Sequence, residues 1–426
     1  MIGRNLLLAL VTLLGAGSCD GRPGGCTKAP GQHPSVSPPA SASAPTTKTH
    51  ATSSASSKQM DPISPTATET RKPDFVFDGG PCAASEKLEL GAMLQGHGEL
   101  LAVGAPARLR EPFDTVPLVC IARVTPDGLT WSAPYRAPNW DPTGDSMLFF
   151  GRQLGFDGTS LALPRVGNFA ATDLLIVRQD GSSWVQEAAL KGDGDSDDHF
   201  GIVVALSAGR LAAAASSTSP GAALEVRLYE RSGSTWNARQ RIAVPEKHGF
   251  SNPILAMSPS GRTLLVAWAA GKRGILEVHR WNGAEFASVH RLEFPGERVH
   301  ALTTSDDRLV VHTRQLDNQG PGRVRFHSEH DGKWSNDREL QAPRVSFGAS
   351  LAIDGPWTAI ADPLQNRVWL AHSSTTDLTA LVGGDDLEPR AWVGGDSVTF
   401  AGSTLFASTR SRKFLGYRVK SGSPPK

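Results

Sequence analysis

The sequence predicts an all-β chain folded as a seven-bladed β-propeller of four-stranded antiparallel blades, with an N-terminal strand closing the last blade. Three observations predict this. Degraded copies of the segment Phe200 to Ala212 recur about every fifty residues, and a fixed period of that size signals a repeat architecture. Tight-turn dipeptides punctuate the copies, and the last copy is one strand short.

The first observation gives the number of units. Each copy contains a strand opened by an apolar anchor, at Leu101, Leu161, Leu211, Leu264, Leu309, Trp357 and Leu405, which makes seven. Ten or eleven residues before several anchors stands Phe-Gly or a relic of it: Leu90-Gly91, Phe150-Gly151, Phe200-Gly201, Phe347-Gly348 and Gly394-Gly395. The fifth unit has Arg298-Val299 in that slot.

The second observation gives the strand order. Asp127-Gly128, Asp180-Gly181, Ser232-Gly233, Asn282-Gly283 and Asp331-Gly332 each precede an aromatic, at Trp131, Trp184, Trp236, Phe286 and Trp334. Asn-Gly and Asp-Gly are hairpin signals because a type I′ turn needs positive φ at both central residues. Each unit therefore reads as an antiparallel meander, since a parallel pair would need a long crossover between strands. Repeated sheets of this kind are propeller blades, whose edges are short and protected.

The third observation concerns closure. The seventh unit ends at Phe414 to Val419 and is followed by Ser421-Gly422-Ser423-Pro424-Pro425, so it lacks a fourth strand. Phe75-Val76-Phe77 lies upstream of the first blade at the spacing a fourth strand requires, and is expected to latch the ring. The propeller then spans 74–420, with a disordered tail at 421–426.

These residues resemble the FG-GAP repeat family, the seven-bladed type also found at the head of integrin α chains. The resemblance is clearest from Phe200 to Trp236 and in Leu101-Ala102-Val103-Gly104-Ala105-Pro106, and weak in units four, five and seven. It implies binding of a ligand or partner on propeller loops, because fold alone does not fix function.

The chain carries 43 basic and 42 acidic residues, a formal charge of +1, which gives no electrostatic footprint for nucleic acid. Residues 1–18 carry Arg4, an apolar run from Leu6 to Leu14 and then small residues, the pattern of a secretory signal too short to span a membrane. Ala16-Gly17-Ser18-Cys19 looks like a bacterial lipobox, with Ala16 where Leu is usual. Cys19 would then be lipidated; an ordinary signal peptide cut near Ser18 is the alternative. From 19 to 73 the chain is rich in Pro, Ser, Thr and Ala and is read as a disordered tether. Signal, anchor, tether and globular head together describe an exported bacterial lipoprotein of the cell envelope, in the outer membrane, on its periplasmic side or at the cell surface.

The exported address permits a disulfide between Cys82 and Cys120; two free thiols remain the alternative. Asp193, Asp195 and Asp197 crowd one loop as calcium ligands do, but they lie between blades and not in a first hairpin, so a structural turn competes with calcium. His327-x-x-His330 has no third ligand in spacing and reads as a solvated turn. No catalytic motif stands out. The resulting expectation is a monomeric, non-enzymatic propeller, anchored to the membrane by its N-terminal lipid, that binds a protein or glycan through its loops without a cofactor. A lyase or hydrolase using the central channel and a purely structural envelope component are the alternatives.

Overall fold

In the computed structural model, residues 67–83, 93–106, 116–138, 153–166, 172–192, 200–215, 224–244, 253–316, 322–341, 346–365, 367–382, 398–409 and 413–419 are described. They form seven antiparallel sheets in chain order: Met93–Trp131, Gly155–Lys191, Val204–Val244, Ile254–Pro295, Glu297–Gln341, Leu351–Val382 and Val398–Arg418. No α-helix occurs among the described residues. We number these sheets as blades one to seven and their strands from the channel outward.

Burial explains the two strand patterns. Second strands such as Leu100–Ala105 and Arg210–Ala215 are buried almost throughout, because both faces of the blade meet a neighbour there. They read as continuous apolar runs for the same reason that doubly covered strands do elsewhere. Fourth strands lie at the rim and alternate more, as in Lys333–Gln341, where Trp334, Arg338 and Leu340 turn inward.

Trp357 opens its strand as expected, while the other six anchors sit one residue further in, at the second position of the second strand, each fully buried. In blade six the equivalent residue is Thr358, one beyond Trp357. The hairpin pairs Asp354 with Trp357, so Trp357 matches Arg210 of blade three and not Leu211. A bulky aromatic at the turn draws attention from a small Thr that carries the inward position.

The Phe-Gly copies that fall in described segments do the same job. Phe200 and Phe347 are fully buried. The Gly201 amide donates to the Ala214 carbonyl at 2.7 Å, and the Gly348 amide to the Ala361 carbonyl at 2.9 Å. Both glycines have positive φ, 79° and 88°, and a Cβ on Gly201 would press on Leu174 of the preceding blade at 3.2 Å. Phe200 packs between blades two and three, against Leu174, Ile176 and Leu211.

Turn chemistry is only partly of the expected type. Asp331-Gly332 has positive φ at both residues, as does Ala208-Gly209 in a first hairpin. Gly181, Gly233 and Gly283 have positive φ alone among their dipeptides, so there a single glycine sets the turn.

Closure occurs as the strand count requires. Phe75–Asp78 pairs antiparallel with the last strand, Phe75 opposite Gly416 and Asp78 opposite Lys413. The Arg418 amide donates to Asp74 Oδ2 at 2.6 Å, the Arg418 guanidinium lies 4.5 Å from the Phe75 ring centroid, and Phe77 stacks on Phe75 and meets Phe406. The ordered head begins earlier than residue 74, however. Ala67–Arg71, placed within the tether by composition, adds as a parallel fifth strand to the outer strand of blade six. Strand addition satisfies main-chain groups and needs little apolar side-chain patterning, so composition does not reveal it.

Cys82 lies in a 3-10 turn after the latch strand and Cys120 in the third strand of blade one; they are joined as a disulfide with Cα atoms 6.0 Å apart. Both are buried in the cluster that joins blade seven to blade one.

Deleting residues 74–78 is expected to lower the melting temperature by several degrees, since truncating one packed Phe alone costs about 3 kcal/mol. An unchanged melt would sink the latch. Reduction of Cys82–Cys120 should lower stability further, by about 4 kcal/mol for a link of this span, and the comparison is a melt with and without reductant.

Candidate functional site

Alternation of strand direction puts first-to-second and third-to-fourth connections at one end of the ring, and all others at the opposite end. The first end is closed by short hairpins that bond to one another. Gly209 donates to Asp157 Oδ2 at 3.2 Å, Ser207 to the Pro259 carbonyl at 2.7 Å, Ser258 to Asp306 Oδ1 at 2.6 Å, and Gly402 to the Gly98 carbonyl. This belt ties blades two to five, and seven to one. The opposite end carries the long connections, 106–117, 137–154, 192–203, 216–223, 245–253 and 383–397.

Blades four and five depart from that pattern. Two connections at the loop end are short here, Gly271-Lys272 between strands two and three of blade four and Gly296 between the blades. The rim is low here, and an open hollow of about 470 Å³ lies over it, lined in part by Lys272, Glu297, Gln315 and Arg323.

Glu297 forms the floor of this hollow and is 7% exposed. It accepts from Thr313 at 2.5 Å and from Arg325 Nη1 at 2.8 Å, and Arg325 Nε reaches Glu339 at 2.8 Å. Arg323 approaches the other Glu297 oxygen at 3.3 Å, and Arg325 stands 5.2 Å from the Phe294 ring centroid of blade four. Burial alone would raise the Glu297 carboxyl, but the hydrogen bonds and charges of Arg325, Thr313 and Arg323 hold it below the usual range. Two arginines and two glutamates thus neutralise each other between blades four and five.

The other face of the same blade is different. Strand pairing sets Arg298 of the first strand directly opposite Arg314 of the second. The next residues carry a β-bulge between Val299 and Ala301 that leaves His300 without a partner on the neighbouring strand. Water reaches His300, yet the protein crowds its ring. Its pKa is held down to about 4, first by burial and then by Arg314 and Arg298. The ring of His312 lies 5.9 Å from it and is 1% exposed, and burial holds its pKa well below the usual histidine value. A Cβ on Gly322 would strike His312 Nε2 at 2.6 Å, so the imidazole occupies space that glycine leaves.

The residues singled out from sequence fall elsewhere. Cys19 and the calcium candidates Asp193, Asp195 and Asp197 lie outside the described residues. Among the described residues no three metal-ligating side chains gather. His327 is not in a solvated turn: it sits within a strand, is 5% exposed, and is held to a pKa of about 4 by burial and by Arg325. His330 is exposed at the turn. Hairpin proximity masked the inward face of the strand.

Sequence reasoning missed His300, His312 and Arg314. A signal was present: unit five lacks Phe-Gly, and His312 occupies a slot held in the other blades by Gly104, Pro164, Ala214, Ala267, Ala361 and Ser408.

No protein-family model matches this chain, and no curated protein does. Solved structures resemble it at low identity. A periplasmic gluconolactonase of Pseudomonas aeruginosa is 14% identical with a TM-score of 0.47, over 69% of this chain and 86% of that one. A Lactobacillus plantarum protein is 12% identical with a TM-score of 0.46, over 68% and 83%. A Pyrococcus horikoshii acylaminoacyl peptidase is 11% identical with a TM-score of 0.48, over 78% of this chain and half of that enzyme. The likeness extends to the fold alone.

The buried histidines set a pH dependence. His312 and His327 stay neutral in the fold while the unfolded chain protonates near pH 6.5. The unfolded state therefore binds more protons between about 6.5 and 4, and stability falls as pH falls through that window, by up to about 1.4 kcal/mol per pH unit for each histidine. Glu297, whose pKa is depressed, adds its loss only below about 4.5. Urea unfolding at pH 7, 6 and 5 should show the decline, and His312→Gln should make it shallower; equal slopes would remove His312 from the account.

Proposed function

We propose that this propeller is a non-enzymatic binding protein that takes a protein or glycan partner on its loop face, held at a bacterial membrane by a lipid on Cys19 and the Pro/Ser/Thr/Ala-rich segment that follows. The observation that carries the reading is the asymmetry of the ring. One end is drawn tight by short, mutually bonded hairpins; the other gathers the long connections, and binding residues concentrate on loops placed by a rigid scaffold. The low rim over blades four and five supplies an opening between longer loops. The equivalent hydrogen bonds of Phe200-Gly201 and Phe347-Gly348 support reading the repeats as FG-GAP type.

A second reading has one observation in its favour. Arg298, His300 and Arg314 on the first two strands of blade five are titratable or cationic groups of the kind a lyase or hydrolase uses, and sites of perturbed pKa are candidates for chemistry.

Crosslinking on intact cells, followed by identification of the captured species, separates the two readings. Capture of one specific partner, lost on replacing the 383–397 loop with Gly-Ser, is the expected result. Capture of nothing specific, together with turnover of a glycan or peptide library, would overturn the binding reading. Cys19→Ser should release the protein from the membrane fraction and abolish metabolic labelling by palmitate.

A further inference from the structure

We infer that the first two strands of blade five hold a site for an oxyanion, a carboxylate or phosphate group of a small ligand, clamped by Arg298 and Arg314 with His300 beside them. Four observations converge on it. Residues directly opposite in an antiparallel pair project on the same side of the sheet, so Arg298 and Arg314 belong to one face of the blade. Among the described residues no carboxylate answers either arginine, whereas on the opposite face of this blade Arg323 and Arg325 are met by Glu297 and Glu339. One blade thus presents a neutralised arginine pair on one side and an uncompensated pair on the other.

Desolvation is the second observation. Arg314 is half-buried and its pKa is lowered by burial, with its Nε buried and without a hydrogen-bond partner. A cation taken from water needs an opposing charge or acceptors to offset the cost, and planar guanidinium groups match a two-oxygen anion bidentately. Third, His312 is fully enclosed behind His300, and this region of blade five is the one place where the repeat puts an imidazole in a small-residue slot. Fourth, the bulge frees His300 from its cross-strand register, and bulges re-aim side chains at sites. A neutral imidazole can donate one hydrogen bond to the anion without needing a proton from solvent.

The site is independent of what the loop face binds, and failure to capture a partner on cells leaves it standing. The test is thermal shift and calorimetric titration of the full chain with inorganic phosphate and, separately, D-glucuronate, at fixed pH and constant ionic strength so that general screening does not contribute. The expected result is saturable binding of at least one probe, weakened tenfold or more by Arg314→Gln and by Arg298→Gln. Arg239→Gln, at an exposed pair with Glu230 on the rim of blade three, should leave it unchanged. Response to phosphate alone assigns a phosphoryl ligand, and response to glucuronate alone an acidic sugar. If Arg314→Gln fails to fold, the more exposed Arg298→Gln decides. Binding of neither probe, or binding equally lost in Arg239→Gln, would overturn the site.

Discussion

The interface between neighbouring blades is the constraint on which the rest depends. The apolar core is not one body but seven clusters, one at each junction around the ring, including the junction of blade seven with blade one. A four-stranded sheet has two faces and can bury neither alone. Each blade therefore stands only because both neighbours do, and an open ring would leave two wet faces. The latch strand, the fully buried Phe of the Phe-Gly turn and the hairpin belt are three answers to that one requirement. The latch completes the last sheet, the Phe fills the wedge between sheets, and the belt fixes their spacing at the narrow end.

That dependence also decides what could be read from sequence. Burial on both faces turns second strands into apolar runs, so Leu101, Leu211 and Leu309 were legible as a period. The missing strand was legible by counting, and Phe75-Val76-Phe77 was its natural supply. Residues 67–71 were not legible, because a parallel strand added at an edge is held by main-chain hydrogen bonds that Thr and Glu make as well as Val does. The site was the least legible. Arg298 and Arg314 lie far apart in the chain, and their confrontation follows from a register with a one-residue bulge in it. His327 misled for a related reason: distance from a turn says little about which face of a strand a residue takes.

Polar burial in blade five takes two forms with different consequences. Glu297, Arg325 and Glu339 form a closed network whose hydrogen bonds satisfy most of what burial exposes, and such a network costs little if complete but much if one member is removed. Their aliphatic stems and the Phe294 ring still fill the junction with blade four, so the interface loses little packing. The arginine and histidine group on the other face is not closed in this way. Its members are held apart from any acid among the described residues, and the ring can carry that cost because the remaining junctions are apolar.

The coincidence of features in one blade is the argument for function. Blade five lacks Phe-Gly, enters from blade four through a single glycine, bulges at His300, and accepts His312 only because Gly322 and Gly348 leave room. Each departure weakens a local rule that most of the other blades keep. Departures from a repeat that arise without purpose would scatter around the ring, since all seven junctions face the same packing demand. Here the lost aromatic, the lowered rim and the unanswered charges meet on adjoining surfaces, where a ligand reaching the channel from the loop face would arrive. Sequences that agree with their fold at every other level tend to break local rules at sites of use. The repeat thus marks its own exception in blade five, and the oxyanion site we infer lies there.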